Sequence, residues 1–173
     1  MQDVLTLTGV RTATLDWEDV YQRYGREILA YVTRLTHDRQ LSEDLLQDTF
    51  VTAMTAADDL RDRAALRAWL YRIATRKALR HLRRRKLLQW VPFASADTPV
   101  ETAFEAVMLP VHEALGLISA EQAAALLLHY QQGFSRREIA SITGVSEEGV
   151  KSRLARGRAN FLAAYRRLER GLK

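Results

Sequence analysis

An all-α protein built as two small helical domains joined by a flexible linker is the fold the sequence predicts, and three observations predict it. Apolar residues recur at steps of three and four along almost every segment, with no sustained alternation of the kind a half-buried strand requires. The three prolines, Pro92, Pro99 and Pro110, all fall in one short, small-residue, acidic stretch, which reads as a connector between folded units. The charges are sorted into blocks of one sign. A length of 173 residues suits one domain or two small ones.

The first helix opens at Asp16, a good N-cap with Trp17, Glu18 and Asp19 behind it, and its apolar face is Val20, Tyr24, Ile28, Tyr31, Val32 and Leu35. A break follows near Thr36 to Gln40. Ser42 is then expected to cap a second helix, with Glu43 and Asp44 in its first turn and Leu45, Leu46, Phe50, Val51 and Met54 as its buried stripe. A charged connection without Gly or Pro, Asp58 to Arg63, leads to a third long helix from about Ala64 to beyond Arg85. Leu66, Trp69, Leu70, Ile73, Ala74, Leu79 and Leu82 give it an apolar side. Trp69, at that spacing, reads as core more readily than as a stacking surface.

These three helices make a first domain over 16–88, preceded by an N-terminal extension over 1–15 and followed by a linker over 89–109, in which Thr102 to Met108 can form a helical turn. The second domain, 110–173, begins with a short helix from Val111 to Leu117. Ser119 caps the next helix, whose stripe is Ala123, Leu126, Leu127 and Tyr130, and Gly133 ends it.

Charge adds the first functional information. From Asp16 to Leu60 there are 10 acidic residues against 4 basic; from Arg61 to Lys86 there are 11 basic against 1 acidic. From Leu87 to Ser135 there are 5 acids and no base, and from Arg136 to Lys173 there are 10 bases against 4 acids. Two basic blocks on amphipathic helices, separated by an acidic connector, point to two contacts with a polyanion, nucleic acid above all; solvated helix faces are the plainer alternative. The absence of cysteine excludes disulfides, zinc-thiolate sites, iron–sulfur clusters and a cysteine nucleophile. With neither a leader-like start nor a membrane-length apolar run, the expected location is the cytoplasm.

The strongest motif is residues 135–154, SRREIASITGVSEEGVKSRL. Ser135 and Glu138 form a capping box, Ile139 and Ile142 belong to the core, and small Ala140 allows close approach of the neighbouring helix. Gly144 supplies the left-handed turn, Val145 plugs it, and Ser146 caps the next helix with Glu147 and Glu148 in its first turn. Val150 and Leu154 return to the core, leaving Lys151, Ser152, Arg153, Arg156 and Arg158 outward. This is a helix-turn-helix whose second helix suits the major groove, where arginine bonds guanine edges or phosphates. An ordinary helical hairpin with a basic surface is the competing reading.

In this order, the chain resembles an extracytoplasmic-function (ECF) sigma factor, the minimal sigma-70 class that keeps only regions 2 and 4 of the RNA polymerase specificity subunit. Four segments carry the resemblance: YGREILAY at 24–31, SEDLLQDTF at 42–50, AWLYRIA at 68–74 and VKSRLARGR at 150–158. The resemblance implies that Asp44, Gln47 and Asp48 dock on the clamp coiled coil of the polymerase largest subunit, with a second contact on the flap. It implies that the promoter −10 element is read and melted by Asp58, Asp59, Arg61, Arg63 and Arg67 together with Trp69, Arg72, Arg76, Lys77, Arg80, Arg83 and Arg84. The −35 element is assigned to Ser146, Glu148, Lys151, Ser152, Arg153, Arg156 and Arg158. Promoter DNA, core polymerase and an anti-sigma factor are the implied partners, with no cofactor, no metal and no catalysis by the chain itself.

Some positions depart from the family pattern. Arg76 and Arg80 stand where an Asn and an Asp are usual, Gly149 where Thr is common, Gly157 where Ala is common, Leu117-Ile118 where Leu-Pro is usual, and Ala123 where Arg is usual. Two other classes compete. An enzyme is disfavoured because His37, His81, His112 and His129 are isolated from carboxylates at helix spacing, and Asp44 with Asp48, or Asp58 with Asp59, lies outside any glycine-bearing metal loop. An autonomous helix-turn-helix regulator binding operator DNA without polymerase would need a dimer seam, and no heptad pattern is present.

Overall fold

The computed structural model describes residues 15–60, 62–88 and 103–171, so the N-terminal extension before Leu15, most of the linker, and Arg61 lie outside the described residues. Seven α-helices carry the fold: α1 Trp17–Thr36, α2 Arg39–Thr55, α3 Leu66–Leu88, α4 Ala103–Gly116, α5 Ala120–Leu126, α6 Arg136–Thr143 and α7 Glu147–Gly171. No strand occurs among the described residues. Helices α1, α2 and α3 pack on one another, as do α4 to α7, and α3 lies against α6 across the junction.

Asp16 caps α1 as its sequence predicts, accepting from the backbone N–H groups of Glu18 and Asp19. Inside, Ile28, Tyr31 and Val32 are fully buried against Leu70, Tyr71 and Ala74 of α3. The Tyr31 hydroxyl lies 2.9 Å from the Thr75 hydroxyl, satisfying both polar groups in the core. α1 ends on His37, whose φ of 57° is left-handed.

The structure corrects the start of α2. Asp38, not Ser42, is the N-cap, its carboxylate accepting from Leu41 N–H; Ser42 is one turn inside the helix, buried and bonded to Thr36 and the Asp38 carbonyl. The buried stripe is Ser42, Leu45, Leu46, Thr49, Phe50 and Ala53. Val51 and Met54 therefore face outward, 60% and 53% exposed. At about 100° per residue that stripe is centred between Leu46 and Thr49, which puts Val51 on the far side of the helix and Met54 well outside the seam. Two short 3₁₀ turns, Ala57–Asp59 and Arg63–Ala65, then carry the chain to α3, with Asp62 capping the second.

α4 begins at Ala103 and crosses the expected linker end at 109/110, taking Pro110 into its interior. Ser119 caps α5, which widens into a π turn over Leu127–Gln131, where Gln132 N–H reaches back five residues to the Leu127 carbonyl. Tyr130, expected in the apolar stripe, instead points outward at 60% exposure. The capping box of Ser135 and Glu138 is formed in full, and Gly144 takes the left-handed turn at φ 72°. Both halves share one continuous apolar cluster, so the described parts of the chain are packed together.

Candidate nucleic-acid interface

Three faces carry the predicted residues. On α2, Asp44, Gln47 and Asp48 are exposed on one side at helical spacing, and the outward turn of Val51 and Met54 continues that side toward the C-terminus. The result is an acidic patch with an apolar end. Sequence reasoning missed the apolar end because it placed both side chains in the core; the three-four spacing from Asp44 to Gln47, Asp48 and Val51 was the available signal.

On α3 the cationic side chains differ in what they touch. Arg72 is half-buried, whereas Arg76, Arg80 and Arg84 are exposed. Lys77 lies 3.7 Å from Asp48, tying the basic helix to the acidic face of α2, and Arg83 lies 3.2 Å from Glu121 of α5. Arg67 is the most engaged: both its terminal nitrogens are 3.1 Å from the Gln132 carbonyl, and its guanidinium sits 4.4 Å from the centre of the Phe134 ring. Arg76 approaches the helix-turn-helix, since a β-carbon added at Gly144 would lie 3.9 Å from its guanidinium.

Trp69 is 7% exposed and packs in the core, which removes it from the interface and agrees with its periodicity. Asp58, Asp59 and Arg63 are exposed in and beside the 3₁₀ turns before α3, in line with access to a partner strand. Arg61 lies outside the described residues.

The helix-turn-helix is assembled as its residues require. Ile139, Ile142, Val150 and Leu154 form its inner face, and Ser146 Oγ accepts from Gly149 N–H to start α7. Ser152 and Arg156 are exposed, Lys151 pairs with Glu148 at 3.5 Å, and Arg158 donates to the Tyr130 hydroxyl at 3.3 Å. Arg153 is only half-exposed, because it stands next to the buried Leu154 seam. Two hydrogen bonds from Ser135, one from its side chain and one from its backbone, hold the Glu138 carboxyl below its ordinary range.

Among the described residues no group of three His, Asp or Glu side chains is placed to hold a metal ion. The His37 and His112 rings meet with their centres 4.2 Å apart and their planes tilted by 44° across the α1–α4 contact. Burial, then the neighbouring His112 and Arg85, hold the His37 imidazole down to about 4. His129 bonds the Phe134 carbonyl through Nδ1.

An acidic face with an apolar end, a long cationic helix and a separate helix-turn-helix define a two-part helical protein whose charges are sorted by element. Comparison with known proteins gives the class. Residues 20–87 match the sigma-70 region 2 family model and residues 108–161 match the sigma-70 region 4 model. The ECF RNA polymerase sigma factor SigM of Mycobacterium tuberculosis is 32% identical over 151 residues, covering 84% of this chain and 74% of that protein. RNA polymerase sigma factor YlaC of Bacillus subtilis is 31% identical, covering 82% and 87%. Among solved structures, the sigma factor RpoE, in complex with the anti-sigma factor NepR from Bartonella quintana, superimposes with a TM-score of 0.75 at 25% identity, covering 87% of this chain and 97% of that one. The chain belongs to the ECF sigma factors of the sigma-70 family. Such proteins direct core RNA polymerase to promoters and are regulators without catalytic activity of their own.

Proposed function

We propose that Asp44, Gln47 and Asp48, extended by Val51 and Met54, dock on the polymerase clamp coiled coil, while α3 with the turns before it holds the melted −10 element and α7 reads the −35 element. The observation that carries this division of labour is the coexistence of an exposed acidic face on α2 with two separate cationic helices, α3 and α7, in one chain. Phosphate contacts position a protein on DNA and base-edge contacts specify sequence, so Arg156 and Arg153 are the residues assigned to −35 choice. Arg76 and Arg80 make the strand-holding face more basic than the family pattern.

The working units are residues 16–88 and 110–173, with the −10 and −35 contacts divided between them. An apolar groove of about 650 Å³, floored by Val111, Leu115, Leu126, Leu127 and Phe161 of the second unit and edged by Arg34 of α1, supports a helix-in-groove contact with the polymerase flap. RpoE and CnrH were solved with NepR and the cytosolic domain of CnrY, and an inhibitory partner of that kind is proposed here too. The chain itself carries no phosphodiester chemistry and acts in the cytoplasm beside polymerase; no helix among the described residues is long and apolar enough to cross a membrane.

Run-off transcription with purified core polymerase and a genomic promoter library tests the reading. New transcript starts that depend on this protein and share spaced −35 and −10 elements are expected. Tight binding of the free protein to duplex DNA without any new start would establish an autonomous regulator instead.

A further inference from the structure

The strand-holding helix is not free in this chain. The Gln132-Gly133-Phe134 turn of the second half reaches across to α3 and fills the surroundings of Arg67 and Tyr71. Arg67 donates to the Gln132 carbonyl at 3.1 Å and to its side-chain Oε1 at 3.3 Å, and the Tyr71 hydroxyl donates to the same Oε1 at 2.6 Å. The Phe134 ring packs edge-on against Tyr71, with centres 5.0 Å apart, and lies under the Arg67 guanidinium. An amide carbonyl acceptor beside a flat π surface is the pair of features that an unstacked nucleobase presents to arginine and tyrosine.

A polar cleft of about 360 Å³ opens at the same place, lined by Arg26, Glu27, Ala30, Arg67, Gln131 and Gln132. Glu27 lies 3.5 Å from Arg67 and disfavours a phosphate there, but its carboxylate suits the amino group of cytosine or adenine. We propose that Arg67, Tyr71 and Glu27 form a site for one unpaired, amino-bearing base of the melted strand, and that the Gln132–Phe134 turn occupies it in the free chain as an internal competitor. This rests on the assignment of α3 to the melted strand. Capture of the strand then requires the turn to leave, which couples base holding to separation of the two halves. Gly133, at φ 73° with open space around it, lets the turn present both flanking side chains to α3.

The test uses the full chain and a fluorescent oligo-dC of about twelve nucleotides, within the range of single-strand sites. Because the chain has no cysteine, spin labels placed through Glu43→Cys and Arg166→Cys, both on exposed residues, report the distance between the halves. Phe134→Ala is expected to lengthen that distance and raise oligo-dC affinity on the order of tenfold. Gln132→Ala, which leaves the apolar core intact, is expected to raise it less and keeps the test valid should Phe134→Ala fail to fold. Adding Arg67→Ala should remove the gain, and oligo-dT should bind more weakly than oligo-dC. Lengthening without a gain in affinity, a gain that survives Arg67→Ala, or equal binding of oligo-dT would each overturn the proposal. Run-off transcription by the unaltered protein reports separately on the sigma reading, so loss of one does not imply loss of the other.

Discussion

Helices α3 and α7 look alike as sequence: each is long, basic and amphipathic, and each is assigned to DNA. In the folded chain they are in different states. Several cations of α3 are held by other elements, with Arg67 on Gln132 and Phe134, Lys77 on Asp48, and Arg83 on Glu121. On α7, Ser152 and Arg156 project freely and Lys151 pairs only with Glu148 of its own first turn. The difference follows from place: α3 is the central helix, packed against α1, α2, α5 and α6, whereas one side of α7 closes the second half and the other faces solvent. Charge density therefore says how a helix can bind, and packing says whether it is ready to.

The largest expected effect separates the two helices by their cores. Leu70→Ala, at a fully buried site on α3, should cost about 2–5 kcal/mol in urea denaturation, and Val150→Ala on α7 about 2 kcal/mol, since fewer buried carbons are removed. A loss at Val150 larger than at Leu70 would reverse the view of α3 as the central element. Next, replacing Arg153 and Arg156 with Ala should weaken −35 duplex binding by about 1–3 kcal/mol each and lower its salt dependence, with core polymerase binding intact. Replacing Asp44 and Asp48 with Asn should do the opposite, and pull-down with core polymerase distinguishes them.

The contact between the halves is also expected to respond to pH. His37 is held at about 4 in the fold against its ordinary 6.5, so the unfolded chain takes up its proton first. Stability is full above about pH 6.5 and is lost as pH falls toward 4, flattening below it. His37→Asn keeps a residue that tolerates the left-handed cap and removes the titration. Its urea midpoint should change less between about pH 7 and pH 5 than that of the unaltered chain; an unchanged slope would assign the effect elsewhere, with His112 and Arg85 the neighbouring groups.

The sequence disclosed the helix-turn-helix almost residue by residue because its signals are local: the Ser135 box, the Gly144 turn and the Ser146 cap each act within four positions. It disclosed the helical class and the basic faces for the same reason. It misplaced the start of α2 because Asp38 and Ser42 are both sound caps, and the fold uses Asp38, whose carboxylate takes the Leu41 N–H while Ser42 is buried and bonded to Thr36. Val51 and Met54 were placed inward separately, because they are apolar, although they stand off the stripe of Leu45, Leu46, Thr49 and Phe50. The engagement of Arg67 by Gln132 and Phe134 was not legible at all, since it joins residues more than sixty positions apart and depends on how two helical units meet.

The smallest effect bears on the element that serves both helices. α6 packs against α3 on one side and α7 on the other, and its first turn is fixed by Ser135 and Glu138. Ser135→Ala removes the acceptor for Glu138 N–H and the hydroxyl that helps hold the Glu138 carboxylate, and should cost about 1 kcal/mol of stability. Because the Glu138 carboxyl is depressed in the fold, its contribution is present above the ordinary glutamate range and lost as pH falls through it, so the difference between variant and parent should shrink in acid. Hydrogen exchange resolves where the loss is felt. Faster exchange at the start of α6, accompanied by faster exchange around Gln132 to Phe134, would show that the capping box supports the turn resting on α3; faster exchange confined to α6 and α7 would show that the turn is held by Arg67 and Tyr71 alone.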